Sequence, residues 1–156
     1  MAVQEMGSIE REIQVDAPPQ VVFDVVSKPE HVQEWWSDQA DFGPEPGSDG
    51  SISFTGKSGE AHVERFSVVE ADPPHRFSFR WCHPAGEAAA AGNSFLVTFT
   101  LEAAGGGTRL TMTETGFREQ GWEVAKLEEM YRSHVEGWDH FVPRLADYAP
   151  RALQRR

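Results

Sequence analysis

The chain has 156 residues, of which 39% are hydrophobic, and it contains five tryptophans and ten phenylalanines; this predicts one globular domain with a sizeable core. Its net charge of −11 argues against a nucleic-acid-binding protein and against docking on anionic lipid, because both need a basic surface. Cys82 is the single cysteine, no apolar stretch approaches bilayer length and no signal-peptide pattern is present, so we expect a cytoplasmic protein without disulfides or a membrane partner.

The N-terminal part predicts one strand followed by two short helices. We expect residues 1–7 to form a flexible leader. Apolar and polar residues alternate from Ser8 to Val15, which is typical of a half-buried strand. Asp16 and the prolines that follow end the strand and begin a helix with a stripe of valines. Lys28-Pro29 ends that helix, and residues 30–36 predict a second one.

The middle of the chain predicts a meander of antiparallel strands. Turn signals rich in glycine, proline and aspartate separate segments in which apolar residues alternate with polar ones. The predicted strands are residues 51–55, 61–71, 76–82, 94–101 and 108–115. Between the third and fourth of these, residues 84–93 predict a long flexible connection.

The stretch from Trp122 to Tyr148 predicts a long amphipathic helix. Its apolar and aromatic residues recur at intervals of three and four, as Leu127, Tyr131, His134, Trp138, Phe141 and Leu145. Pro143 lies inside this helix and is expected to kink its last turns, because proline removes a backbone hydrogen bond to Asp139. We expect residues 150–156 to form a disordered tail.

This order of elements predicts an α+β fold. Two short helices after the first strand and one long helix at the end leave the strands to form one antiparallel sheet of six or seven strands. We expect the sheet to curve around the long helix, in a single domain over residues 8–149. Such an arrangement leaves a space between sheet and helix in which apolar ligands bind.

Several segments, taken in order, resemble the START-like helix-grip superfamily (SRPBCC), which includes the birch-allergen-like fold. They are residues 9–13 leading to 17–23, Trp35-Trp36, residues 69–81, residues 98–102 before 105–110, and Gly137-Trp138. Within the superfamily, the chain is similar to the bacterial group related to the C-terminal domain of the activator of the heat-shock-chaperone ATPase. The resemblance covers residues 8–148 and implies the helix-grip fold. It does not imply one function, because the superfamily hosts lipid carriers, hormone receptors, cyclases and chaperone cofactors.

His134 and Glu114 are the catalytic candidates, and also the polar anchors expected for a ligand. His134 offers a hydrogen-bonding group or a base near neutral pH, or is a core histidine satisfied by a strand neighbour. Glu114 either orients His134 or reaches solvent at the end of its strand. Arg11 and Arg65 either supply a buried cation or are exposed residues of the sheet.

We predict a cavity under the C-terminal helix that binds a small hydrophobic or aromatic molecule. Its expected ligand-binding residues are Trp36, Phe66, Phe79, Trp81, Phe99, Met112, Glu114, Tyr131, His134 and Trp138. We expect Gly137 to let the helix approach the sheet closely. Of Trp35 and Trp36, one is expected to point inward and the other to lie at the rim.

The sequence predicts no metal site and no cofactor. The six histidines show no ligand spacing, and neither a phosphate-binding loop nor a Ser-His-Asp arrangement is present. Three alternatives to a ligand-binding domain stay open. They are an enzyme of the polyketide cyclase or dehydratase type using His134 and Glu114, a protein-interaction module acting on a chaperone, and a filled core without a pocket. A monomer or homodimer is expected in each case.

Overall fold

The computed structural model describes residues 6–154. Apart from one short strand, its helices and strands follow one another in the order that the sequence predicts. The strands are β1 Ser8–Val15, β2 Gln39–Asp41, β3 Asp49–Thr55, β4 Ala61–Asp72, β5 Arg76–Trp81, β6 Phe95–Ala104 and β7 Gly107–Thr115. The helices are α1 Pro19–Ser27, α2 Pro29–Trp35 and α3 Val124–Gln154, with a 3-10 helix at Arg118–Gln120 before α3.

All seven strands form one sheet in the order β1-β7-β6-β5-β4-β3-β2. Every neighbouring pair is antiparallel, and the first strand pairs with the last, with Ile9 opposite Glu114. Both short helices follow β1, and the long helix ends the described chain. The α+β helix-grip fold expected from the sequence is therefore confirmed.

Alternation along the strands places one face of the sheet in the core. On β5, Phe77, Phe79 and Trp81 are all buried, and on β6 the same is true of Phe95 and its inward neighbours. Residues of α3 join this cluster, among them Leu127, Trp138, Leu145 and Tyr148. Burying one phenylalanine stabilises a protein by about 1.5–3 kcal/mol, so this aromatic face is a main source of stability.

One strand was not predicted, and the ends of several others differ from the predicted ones by one to three residues. The short edge strand β2 was not predicted, because its three residues are too few to show a period of two. Strand β5 ends at Trp81 rather than Cys82, because Cys82 has a φ of 72°. That left-handed backbone conformation is incompatible with a continuing strand.

Helix α3 is longer than predicted and replaces most of the expected tail. It spans 31 residues and includes both Pro143 and Pro150. Residues 150–154 are thus helical, and buried Ala149 and Ala152 attach these last turns to the core. Of the expected N-terminal leader, Met6 is buried, while residues 1–5 and 155–156 lie outside the described residues. Within residues 6–154, none of the helices is long and apolar enough to cross a membrane.

Candidate functional site

A pocket of about 130 Å³ lies between α3 and the sheet, next to the end of α2. Its lining residues are Trp36, Phe54, Trp81, Ser133, His134, Gly137, Trp138 and Phe141. Five of these residues are tryptophans or phenylalanines, and the two polar side chains are those of Ser133 and His134. Within residues 6–154, no lysine or arginine lines the pocket.

Helix α3 supplies most of the wall because its lining residues repeat with the helical period. His134, Gly137, Trp138 and Phe141 occupy positions i, i+3, i+4 and i+7 and so share one face. A Cβ atom added at Gly137 would meet no heavy atom within 4 Å. Gly137 therefore does not serve a close approach of helix and sheet, as the sequence had suggested; its missing side chain leaves the pocket space open.

Trp36, at the end of α2, forms the pocket wall facing the helix. Its ring centroid lies 5.0 Å from that of Trp81 and 5.3 Å from that of Trp138. Trp35 stacks behind it at 5.8 Å and donates its indole N–H to the carbonyl oxygen of Val25 at 2.9 Å. Trp36 thus reaches the pocket, while Trp35 is fully buried in the core.

Glu114 lies behind this wall with no exposed surface. Its Oε2 accepts a hydrogen bond from Trp81 Nε1 and its Oε1 one from Trp138 Nε1, both at 2.8 Å. Oε1 also lies 2.8 Å from Nδ1 of His134. Glu114 therefore does not reach solvent. Because a buried carboxylate is costly unless it is hydrogen-bonded, these three N–H groups are what allow it to stay in the core.

The same contact determines which nitrogen of His134 is available to a ligand. An indole N–H can only donate, so Glu114 acts as an acceptor towards both tryptophans, and it is positioned to accept from Nδ1–H of His134 as well. In the neutral ring, a proton on Nδ1 leaves Nε2 as an acceptor. Among the described residues, Glu114 is the one hydrogen-bond partner of this ring. Because His134 lines the pocket, Nε2 is the nitrogen left for a molecule bound there.

The structure brings together only part of the predicted ligand-binding set. Trp36, Trp81, His134 and Trp138 line the pocket, with Glu114 directly behind them. The remaining predicted residues are placed elsewhere: Phe66, Phe79, Phe99 and Met112 are at most 1% exposed in the core, and Tyr131 donates its hydroxyl to the carbonyl oxygen of Ser8.

The space expected beneath the helix is largely filled by aromatic stacking. Phe66 and Phe79 stack at 4.2 Å, and Phe66 stacks in turn on Phe42 at 4.3 Å. The pocket therefore occupies only the part of this space that lies beside residues 133–141 of α3. Sequence reasoning missed Phe54, Ser133 and Phe141 as lining residues. Phe141 could have been predicted, because it lies on the predicted inner face of the helix.

Neither arginine considered from the sequence lies at this pocket. Arg11 pairs with Asp139 at 2.8 Å and connects β1 to α3 at the surface. Arg65 lines a separate polar pocket of about 280 Å³ together with Asp49, His83 and Glu87. His83 is 6% exposed and its Nδ1 has no partner within the described chain. Burial lowers the pKa of His83 from its usual value.

Cys82 is not set up as a nucleophile. Burial raises the pKa of its thiol well above the usual value, and the negative charges of Glu64 and Glu114 raise the pKa further. The reactive thiolate form is therefore disfavoured. Within residues 6–154, no group of three or more histidine, cysteine, aspartate or glutamate side chains is placed to hold a metal ion.

Comparison with known proteins places the chain in a family. The family model described as Activator of Hsp90 ATPase homolog 1-like protein matches residues 16–149, which confirms the resemblance seen in the sequence. Among solved structures, protein MLL2253 from Mesorhizobium loti has 26% identity and a TM-score of 0.71, covering 95% of this chain and 97% of its own. No curated protein matches the chain.

Two more distant structures support the fold alone. The Aha1 dimer from Colwellia psychrerythraea has 19% identity and a TM-score of 0.69, over 91% of this chain and 95% of its own. DynU16, a protein from the dynemicin biosynthetic locus, has 23% identity and a TM-score of 0.67, over 91% of this chain and 46% of its own.

Proposed function

This chain belongs to the family of Activator of Hsp90 ATPase homolog 1-like proteins, and from that premise we propose that it is a binding domain for a small hydrophobic or aromatic molecule. One observation carries the proposal: a pocket between α3 and the sheet is walled by five aromatic residues around a single histidine. Apolar burial would supply the affinity and His134 the orientation. A cytoplasmic location and a monomeric or dimeric state stay predictions.

The volume of the pocket restricts the size of its occupant. Pockets for drug-sized ligands measure roughly 300–1,000 Å³, whereas this one measures about 130 Å³. A dry apolar cavity of about 150 Å³ is sufficient for benzene. The proposed ligands are therefore molecules with one ring, or single-ring parts of larger molecules that extend out of the pocket.

Thermal unfolding followed by tryptophan fluorescence tests the proposal. The probes are toluene, p-cresol and indole, with a fatty acid such as decanoate as an extended apolar comparison. A compound present at a hundred times its Kd adds about 2.7 kcal/mol to the free energy of unfolding, which for a domain of this size raises Tm by roughly 5–10 °C. No shift with any of these compounds would contradict the proposal.

A pocket-filling variant locates the binding. Gly137→Leu adds a side chain where the structure has free space, so we expect a folded protein that has lost the ligand-dependent shift. Glu129→Leu is the matched control, because Glu129 is exposed on the same helix and does not line this pocket. Equal shifts in the two variants would show that the compounds bind somewhere else.

A second candidate function is acid–base catalysis, favoured by the 2.8 Å contact between His134 and Glu114. Nε2 of His134 would take a proton from a bound substrate, and Glu114 would stabilise the resulting imidazolium. DynU16, which shares the fold, comes from the dynemicin biosynthetic locus. This candidate proposes that the present chain is an enzyme of the polyketide cyclase or dehydratase type.

Hydrogen exchange in a bound ketone tests this candidate without knowledge of the substrate. Acetophenone has one ring and exchangeable methyl protons, whose replacement by deuterium can be followed by nuclear magnetic resonance. The catalytic candidate requires exchange faster than in buffer, and loss of that acceleration in His134→Gln. Binding of acetophenone without accelerated exchange would exclude proton abstraction here and leave the binding function intact.

A chaperone-directed role has no specific observation in its favour. An interaction module of this kind would need a large exposed apolar or charged patch. Within residues 6–154, the exposed large apolar residues are Val63, Val69 and Val124.

A further inference from the structure

We propose that the pocket selects neutral single-ring molecules carrying an O–H or N–H donor, of which phenols are the simplest, and that it rejects carboxylates. The inference rests on the proposed binding function and adds the chemical class of the ligand. It follows from which hydrogen-bonding groups around the pocket are already used, and from where the charges lie.

The ring nitrogen that His134 presents to the pocket is a hydrogen-bond acceptor, whereas binding an anion requires a hydrogen-bond donor. Glu114 engages Nδ1 of His134 and both indole N–H groups of Trp81 and Trp138. These N–H groups are therefore not available to a ligand. When the His134 ring is uncharged, its Nε2 remains as an acceptor for the O–H of a phenol. Ser133, at the pocket wall, is the second lining group able to hydrogen-bond.

The charges around the pocket also oppose an anionic ligand. Glu114 is fully buried directly behind the wall, and none of the lining residues in the described part of the chain is a lysine or arginine. Arg144 contacts one lining residue from outside: its guanidinium carbon lies 5.8 Å from the ring centroid of Phe141. This arginine also donates to the carbonyl oxygen of Glu34. A carboxylate entering the pocket would lose its hydration and meet a negative charge without a paired cation.

Three probes, each a methylated benzene ring with a different substituent, separate the effect of the hydrogen bond from the effect of the charge. They are p-cresol, p-xylene and 4-methylbenzoate, titrated near neutral pH by calorimetry. Since p-xylene is the more hydrophobic of the first two, a pocket without a hydrogen-bond partner would prefer it. We expect p-cresol to bind about fivefold to tenfold more tightly than p-xylene, and 4-methylbenzoate to bind at least about a hundredfold more weakly than p-cresol.

Two variants assign the selectivity to its residues. His134→Leu removes the acceptor, so p-xylene should then bind more tightly than p-cresol. Glu114→Gln removes the buried charge with little change of shape, so the preference for p-cresol over 4-methylbenzoate should narrow by about tenfold. Circular dichroism checks that each variant is folded. If His134→Leu does not fold, the order of the three probes on the unmodified protein and on Glu114→Gln still decides the question.

Each result has a definite meaning. If none of the three probes binds, the proposed binding function fails, and the inference fails with it. If p-xylene binds as tightly as p-cresol, or 4-methylbenzoate binds as tightly as either, the inference is overturned while the binding function stands. If Gly137→Leu abolishes binding of p-cresol and His134→Leu reverses its preference over p-xylene, both stand.

Discussion

Glu114 is the residue on which the candidate site depends. It is an acidic side chain that follows the buried apolar residues Leu110 and Met112 on the inward face of β7, and it has no exposed surface. Its oxygens are within 2.8 Å of two indole nitrogens and one imidazole nitrogen. An apolar residue at this position would leave all three N–H groups without their partner, and an unpaired buried polar group is costly. The carboxylate therefore holds Trp81, Trp138 and His134 in fixed orientations around the pocket.

Replacing Glu114 should destabilise the protein in proportion to the hydrogen bonds that are lost. Glu114→Ala leaves three buried donors unpaired, and we expect it to lower the free energy of unfolding by about 3–5 kcal/mol. Glu114→Gln keeps one acceptor oxygen for these N–H groups and should lower the free energy of unfolding by less. Urea unfolding measures both changes. Glu102→Gln is the control, because Glu102 is an exposed residue paired with Arg109 and should change stability by less than about 0.5 kcal/mol. An equally small effect of Glu114→Ala would contradict the buried network.

His83 should make the stability fall on mild acidification. Its pKa in the folded protein is lowered by burial, whereas an unfolded histidine titrates near about 6.5. Between these two pKa values the unfolded chain binds more protons, so the free energy of unfolding decreases as pH falls through about 6.5. Replacing His83 by Gln should flatten this slope in urea titrations at several pH values. His62→Gln, at an exposed position, should keep the slope; identical slopes in the two variants would rule out His83 as its source.

At the scale of elements, the long helix has two functions that impose different requirements. Its inner face must pack on the sheet, which Leu127, Trp138 and Leu145 do, and part of it must leave room for a ligand. Gly137 meets the second requirement because it has no side chain to fill the pocket. Glycine inside a helix costs roughly 0.5–1 kcal/mol relative to alanine, so the open pocket is kept at the expense of helix stability.

Gly137→Ala should therefore stabilise the protein while weakening binding. The added methyl group meets open space, and we expect the free energy of unfolding to rise by about 0.5–1 kcal/mol. The affinity for p-cresol should fall because the pocket becomes smaller. Gly105→Ala is the control, because Gly105 has a φ of 58° in the β6–β7 turn and alanine there should destabilise. A loss of stability in Gly137→Ala would mean that the helix has no free space at this point.

Pro143 offers a second test of the helix. It is an exposed residue inside α3, where proline removes a hydrogen bond and crowds the preceding turn. We expect Pro143→Ala to increase the free energy of unfolding by about 1–3 kcal/mol and therefore to raise Tm. Pro46→Ala, in the loop before β3, should not stabilise, since proline in a loop restricts the unfolded chain. If Pro143→Ala lowers Tm instead, the proline is needed for the path that the helix takes over the core.

At the scale of the whole molecule, charge is the dominant feature. A net charge of −11 produces self-repulsion that opposes the compact state. Among the described residues, the salt bridges made by arginines are largely exposed, whereas Lys28 pairs with the mostly buried carboxylate of Asp24 at 3.7 Å. Exposed pairs contribute little to stability.

Added salt should therefore stabilise this protein. Salt screens the repulsion between exposed carboxylates that are farther apart than the Debye length, which is about 10 Å at 0.1 M salt. We expect Tm to rise between low salt and roughly 0.3 M sodium chloride, with a smaller rise in a variant in which exposed acidic residues such as Glu12 and Glu128 are replaced by glutamine. A Tm that falls with salt would show that attractive ion pairs outweigh the repulsion.

Apart from the short strand β2, the sequence by itself determined the order of the strands and helices, the inward face of strands such as β5 and β6, and the fold to which they lead. This was possible because hydrophobic periodicity and turn residues act locally, and because inward residues such as Phe77, Phe79 and Trp81 recur at the period of a strand. It also singled out His134 and Glu114, since each is a polar residue on an otherwise apolar face.

Only the tertiary structure decided how much space remains under the helix and which residues face it. Phe66 and Phe79 stack and fill a region that their positions on the sheet had marked as cavity wall, while Gly137 opens the space that remains. Such outcomes depend on how side chains from distant segments fit together, and periodicity carries no information about that fit. The partners of Glu114 are of the same kind: Trp81 is 33 positions away along the chain and Trp138 is 24 away, and only folding brings them to one carboxylate.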